Sequence, residues 1–214
     1  MKVPNYDKAR HDKKSDKRKY NEFIGEDFRL LMSGKSGCGK TNTLMHMLRK
    51  PLIYFDKIYI YTPNAHQEKI IDLAELMDKI SEKVGYPVME IMDADYIKDT
   101  NEYPSDTNRK VVIFDDLMNA NDKIQKKIAN HFTDGRHHNI SPIYLSQSYF
   151  DIPKKIRTNC TNMVLYNPTT ERDLSEISRD NRIDKLLFDK LSEYEFIYLN
   201  KLNKITCKNF DESL

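Results

Sequence analysis

Phe28-Arg29-Leu30-Leu31-Met32-Ser33-Gly34-Lys35-Ser36-Gly37-Cys38-Gly39-Lys40-Thr41 is the stretch from which the rest of the chain is read. Phe28 to Met32 has the length and apolar content of a buried strand, and Thr41 to Arg49 runs without Gly or Pro, as a helix requires. Between them Gly34 to Thr41 fits the pattern G-x-x-x-x-G-K-[ST]. In this order of elements, successive backbone N–H groups and a helix N-terminus converge on phosphate oxygens. Gly34, Lys35, Ser36, Gly37, Cys38, Gly39, Lys40 and Thr41 are therefore read as a phosphate cradle, with Lys40 beside the β- and γ-phosphates and Thr41 as a ligand of Mg²⁺. A glycine-rich turn without a ligand is the bland alternative, and the flanking strand and helix speak against it.

Outward from this loop, short apolar runs alternate with amphipathic stretches, the pattern of an α/β fold with a central, mainly parallel sheet flanked by helices. Strands are expected at about 28–32, 57–61, 88–92, 110–114, 141–146 and 161–166. Helices are expected at about 41–49, 66–82, 121–132, 171–178 and 184–191. Phe196-Ile197-Tyr198-Leu199, a polar turn and Ile205-Thr206-Cys207 suggest a closing hairpin. Residues 23–214 form one ATPase-sized domain on this reading, preceded by a basic arm over 1–22. The first twenty residues carry eight Lys or Arg against three Asp, too polar to bury a core of their own. Such an arm either touches DNA phosphates or a capsid protein, or simply solvates the chain.

Lys and Arg (35) nearly balance Asp and Glu (33), so affinity for nucleic acid would have to come from local patches. Three cysteines without a C-x-x-C pair suggest neither a disulfide framework nor a zinc knuckle, which fits a reducing compartment. No apolar run approaches the roughly 20 residues of a membrane span, so no membrane partner is expected.

Val111-Val112-Ile113-Phe114-Asp115-Asp116 is an apolar strand ending in two carboxylates, the natural complement of the phosphate loop. Asp115 would hold Mg²⁺ directly or through water, and Asp116 would orient and polarise the attacking water. Glutamate does that second job in most ATPases of this type, and aspartate is one methylene shorter. Ile143-Tyr144-Leu145-Ser146-Gln147 reads as another strand whose polar carboxyl end places Gln147 in the same crevice, as a γ-phosphate sensor. Arg136 precedes that strand and so belongs to the opposite edge of the sheet, where it could act only on a neighbouring subunit's nucleotide, as an arginine finger in trans. Arg157, ahead of the 161–166 strand, is a second trans candidate by the same reasoning. Lys154, Lys155 and Arg157 form a basic cluster in a loop, and Arg136-His137-His138 another, where DNA phosphates could sit. His137 and His138 lack the spaced partners of a metal site.

Together, residues 32–41, Phe114-Asp115-Asp116-Leu117, Gly135-Arg136-His137-His138-Asn139-Ile140-Ser141 and Leu145-Ser146-Gln147-Ser148 closely resemble viral genome-packaging ATPases of the FtsK-HerA superfamily, in the branch of poxviruses, giant viruses and virophages. The resemblance implies an additional-strand, RecA-like P-loop fold, with the 141–146 strand inserted between the P-loop and Asp115 strands. It further implies a homo-oligomeric ring, pentameric or hexameric, that uses ATP and Mg²⁺ to pump double-stranded DNA into a preformed capsid of other proteins. The site of action would be host cytoplasm or the viral factory. Three rivals stand beside it. A GTP switch lacks its guanine reader, because the nearest string, Asn200-Lys201-Leu202-Asn203, has no acid at its end. A P-loop kinase would share the loop, and an ATP-binding DNA- or capsid-docking module would bind without turnover.

Overall fold

In the computed structural model, which describes residues 24–25, 27–50, 52–210 and the backbone of 212–213, the chain forms one sheet of nine strands, most of them the apolar runs. They are Leu30–Ser33 (β1), Lys57–Tyr61 (β2), Met89–Met92 (β3), Lys110–Asp115 (β4), Ile140–Ser146 (β5), Asn162–Tyr166 (β6), Phe196–Asn200 (β7), Ile205–Lys208 (β8) and Glu212–Ser213 (β9). The helices are Lys40–Arg49 (α1), Glu68–Val84 (α2), Asp122–Asp134 (α3), Lys154–Asn159 (α4), Glu171–Asn181 (α5) and Leu186–Asp189 (α6). The basic arm over 1–22 lies outside the described residues. Among those described, no helix is long and apolar enough to cross a membrane.

The sheet order is β3-β2-β4-β5-β1-β6-β7-β8-β9. Strands β1 to β6 pair parallel, and β7 turns the edge antiparallel against β6. The expected insertion holds: β5 lies between β1 and β4, with Met32 opposite Leu145 and Asp115 opposite Leu145 on the other side. The closing hairpin is β7–β8, with Tyr198 opposite Cys207.

Because alternate residues of a strand face opposite ways, β1, β4, β5 and β6 feed two cores, one on each face. Leu30, Met32, Val111, Ile113, Ile143 and Leu145 pack with Leu44 and Met47 of α1 and Leu73 and Met77 of α2. Leu31, Val112, Phe114, Tyr144 and Met163 pack with Ile128 and Phe132 of α3, Ile156 of α4 and Ile177 of α5. Helix α3 starts cleanly, as Asn121 Oδ1 accepts from Ile124 N at 3.0 Å. It ends in a 3-10 turn, Gly135–His138, that delivers the chain to the amino end of β5. Gly135 packs closely there, since a Cβ would stand 3.1 Å from the Ile140 carbonyl oxygen, tighter than most side chains adopt.

One expectation is corrected. Residues 154–159, read as a loop, are the helix α4, with Ile156 and Arg157 buried and Lys154 and Lys155 on its exposed face.

Candidate nucleotide site

The phosphate loop leaves β1 at its carboxyl end, tied to β5 by the Gly34 N–H donating to the Ser146 carbonyl at 3.2 Å. Gly34 fits only without a side chain, because a Cβ would come within 2.5 Å of the Tyr166 Cβ and 2.8 Å of the Cys38 Sγ. Gly37 and Gly39 take φ values of 78° and 104°, the left-handed region where glycine alone is unstrained, and Gly39 is the residue that caps the start of α1. Lys40 folds back over the loop, its Nζ donating to the Gly34 carbonyl at 2.5 Å and the Lys35 carbonyl at 3.0 Å. Burial lowers the Lys40 pKa, and the nearby Cys38, Asp115 and Asp116 oppose that shift.

Asp115 ends β4 almost fully buried, and its pKa is raised, first by desolvation and then by the charge of Asp116. Just past β2, the Thr62 hydroxyl donates a long hydrogen bond to Asp115 Oδ2 at 3.4 Å. Asp116 follows with a left-handed φ of 54° that turns its carboxylate into the crevice. Gln147, just past β5, donates from Nε2 to both Asp116 oxygens, at 3.0 and 3.2 Å.

These groups meet around one cavity of about 330 Å³, lined by Ser36, Gly37, Gly39, Lys40 and Thr41 of the loop and by Asp115, Asp116 and Gln147. Its far wall is Gln67, Glu68 and Lys69 at the start of α2. Sequence reasoning missed those three and Thr62. Thr62 could have been found, since it closes a strand adjacent to β4 and so reaches the same edge. The start of α2 had no such signal. A hydroxyl and a carboxylate are hard oxygen donors that fit Mg²⁺. Among the described residues no cluster of three His, Cys, Asp or Glu could hold a metal alone, so Thr41 and Asp115 would share it with phosphate and water.

Arg136 sits exposed in the turn at the amino end of β5, across the sheet from this cavity, and among the described residues it makes no ion pair. Arg157 does not match its expected role. Its guanidinium is buried, bonded to Glu176 at 3.1 Å and Asp180 at 2.7 Å, and lies over the Tyr149 ring. A side chain so engaged holds α4 to α5 and is not offered to a neighbour.

A family model described as poxvirus A32 protein matches residues 15–192. No curated protein matches the chain in sequence. Among solved structures, the DNA-packaging ATPase B204 of Sulfolobus turreted icosahedral virus is similar at a TM-score of 0.61 and 14% identity, over 86% of this chain and 98% of that one. The genome-packaging NTPase B204 of Sulfolobus turreted icosahedral virus 2, in complex with AMPPCP, aligns at 0.60 and 13%, over 86% and 98%. VirB4 of Thermoanaerobacter pseudethanolicus aligns at 0.58 and 11%, over 83% and 88%. At these identities the structural likenesses establish a shared P-loop ATPase fold.

Proposed function

The chain belongs to the poxvirus A32 protein family, and from that premise we propose that it is the ATP-hydrolysing motor that drives double-stranded viral DNA into a preformed capsid. The observation that carries the reading is the convergence of Lys40, Thr41, Asp115, Asp116 and Gln147 on one cavity at the carboxyl edge of the sheet. The likeness to the B204 genome-packaging NTPase and DNA-packaging ATPase supports it.

In this reading the loop N–H groups and Lys40 take the triphosphate, the ammonium exchanging the Gly34 and Lys35 carbonyls for phosphate oxygens. Thr41 and Asp115 hold Mg²⁺, which when bound neutralises the developing charge on the phosphates. Asp116 accepts a hydrogen bond from the attacking water and aims it. Gln147, already fastened to both Asp116 oxygens, sets the angle of that carboxylate and is placed to register the γ-phosphate. Arg136 of one subunit completes the site of the next, so hydrolysis takes place between subunits of a ring that acts with DNA and capsid proteins in host cytoplasm or the viral factory.

The test is phosphate release with and without double-stranded DNA. Lys40→Ala and Asp116→Ala are each expected to lower the DNA-stimulated rate at least about 100-fold. ATP binding by the wild-type chain with no turnover in any oligomer would overturn the motor and leave the docking module. Transfer of phosphate to an acceptor other than water would favour the kinase.

A further inference from the structure

A second cavity, of about 560 Å³, lies against the same loop on its other side, toward β6 and β7. Its walls are Lys35–Cys38 of the loop, Tyr166 at the end of β6 with Asn167 just beyond it, and the turn 191–195 ahead of β7. Tyr166 is a fixed floor, because its hydroxyl shares a 2.6 Å hydrogen bond with the Thr43 hydroxyl on α1. Tyr194 is the unusual element. It is 60% exposed and holds a φ of 68°, a conformation that costs an aromatic residue energy and persists only where surrounding contacts enforce it.

Those contacts are present. Within the turn the Glu195 N–H donates to the Ser192 carbonyl at 3.2 Å, and the Ser192 N–H donates to Glu195 Oε2 at 2.7 Å. The Glu195 carboxylate is anchored in turn by Lys208 of β8 at 2.8 Å. Their result is a phenol ring held beside the start of α1, its Cδ1 3.5 Å from where a Cβ on Gly39 would stand.

We propose that this cavity receives the nucleoside half of the bound nucleotide, with the base stacked on Tyr194. The inference rests on the nucleotide-binding reading above and deepens it. The reacting end of the triphosphate belongs with Asp115, Asp116 and Gln147, on the β4–β5 side of the loop. A nucleotide lying along the loop therefore leads its sugar and base out on the β6–β7 side, into this cavity. The chemistry of the walls agrees. Glu193 is exposed, and among the described residues it makes no ion pair. Its carboxylate repels phosphate but accepts from ribose hydroxyls or an exocyclic amine. An aromatic face stacks on any base, so the site should select nucleoside over bare phosphate while discriminating little between ATP and GTP.

The chain contains no tryptophan, so Tyr194→Trp creates a single fluorescent reporter at the site. ATP is expected to change its emission, and inorganic tripolyphosphate at saturation is not. Tyr194→Ala is expected to weaken ATP binding about 5- to 100-fold and leave tripolyphosphate affinity unchanged, while Tyr194→Phe retains the wild-type preference. Unchanged ATP affinity in Tyr194→Ala, or a tryptophan signal that tripolyphosphate produces equally, would overturn the assignment and leave nucleotide binding intact. Failure of both ATP and tripolyphosphate to bind the wild-type chain would overturn the underlying reading as well.

Discussion

Asp116 follows a buried strand with a φ of 54°, a backbone angle that aspartate and asparagine adopt several-fold more readily than longer side chains. The aspartate in place of the usual glutamate is thus tied to local geometry, and Gln147 holds it from both oxygens. Asp115 raises a different issue. Folding raises its pKa, so the folded state binds its proton more tightly than the unfolded chain, and the ionised carboxylate costs stability once pH exceeds that raised value. Asp115→Asn should therefore raise the thermal midpoint of the nucleotide-free protein, by about 2 °C or more, while lowering ATP turnover at least about 100-fold. Differential scanning fluorimetry and phosphate release check the two halves. His131 gives the opposite pH signature. Buried between the Lys127 carbonyl at 2.9 Å and the Tyr103 hydroxyl at 3.2 Å, it is held neutral, its pKa pushed down to about 4 by desolvation. Its contribution is complete above the ordinary histidine pKa, about 6.5, and is lost as pH falls toward 4. Between those values, unfolding free energy should fall by up to about 1.4 kcal/mol per pH unit more in the wild type than in His131→Phe, measured by urea titration at several pH values. Lys40, Asp115 and Gln147 were legible in sequence because each closes or follows an element whose type is clear. Arg157 was not, because its partners Glu176 and Asp180 lie 19 and 23 residues further along, on another helix.

At the scale of elements, strands were the most legible. Burial on both faces makes β4 and β5 nearly continuous apolar runs, and their carboxyl ends follow directly. Helix α4 escaped because its six residues contain one apolar side chain, Ile156, which gives no periodicity to detect. Its role is nevertheless firm, since Arg157 joins it to Glu176 and Asp180 of α5. Arg157→Ala removes the buried guanidinium between Glu176 and Asp180, leaving them only the exposed Arg179, and should lower the thermal midpoint by about 5 °C or more. Arg136→Ala, on an exposed turn, should leave it within about 1 °C. Thermal melts of the two variants separate a structural arginine from one reserved for a neighbour.

For the whole molecule, the decisive separation is between the two edges of the sheet. The cavity with Asp115 opens at the carboxyl ends and Arg136 at the amino ends, so a chain that uses both must use them in different copies. Mixing equal amounts of Lys40→Ala and Arg136→Ala protein, each inactive alone, should restore about a quarter of the wild-type ATPase rate under assembly conditions, because only one interface in four pairs an intact loop with an intact arginine. No recovery in mixed oligomers would count against action in trans. The additional strand that makes this architecture was expected from the family resemblance and not from spacing, yet the placement of β1 has a further effect. Leu30 pairs with Ile143 on one side and Asn162 on the other, so the strand that launches the phosphate loop has no partner until the chain has grown more than a hundred residues further. At about 5–20 residues per second, a ribosome leaves that loop exposed and unformed for on the order of ten seconds. Cellular ATP therefore cannot assist the early stages of its birth, and a nascent chain stalled before β5 should emerge unable to hold the nucleotide its own N-terminal third encodes.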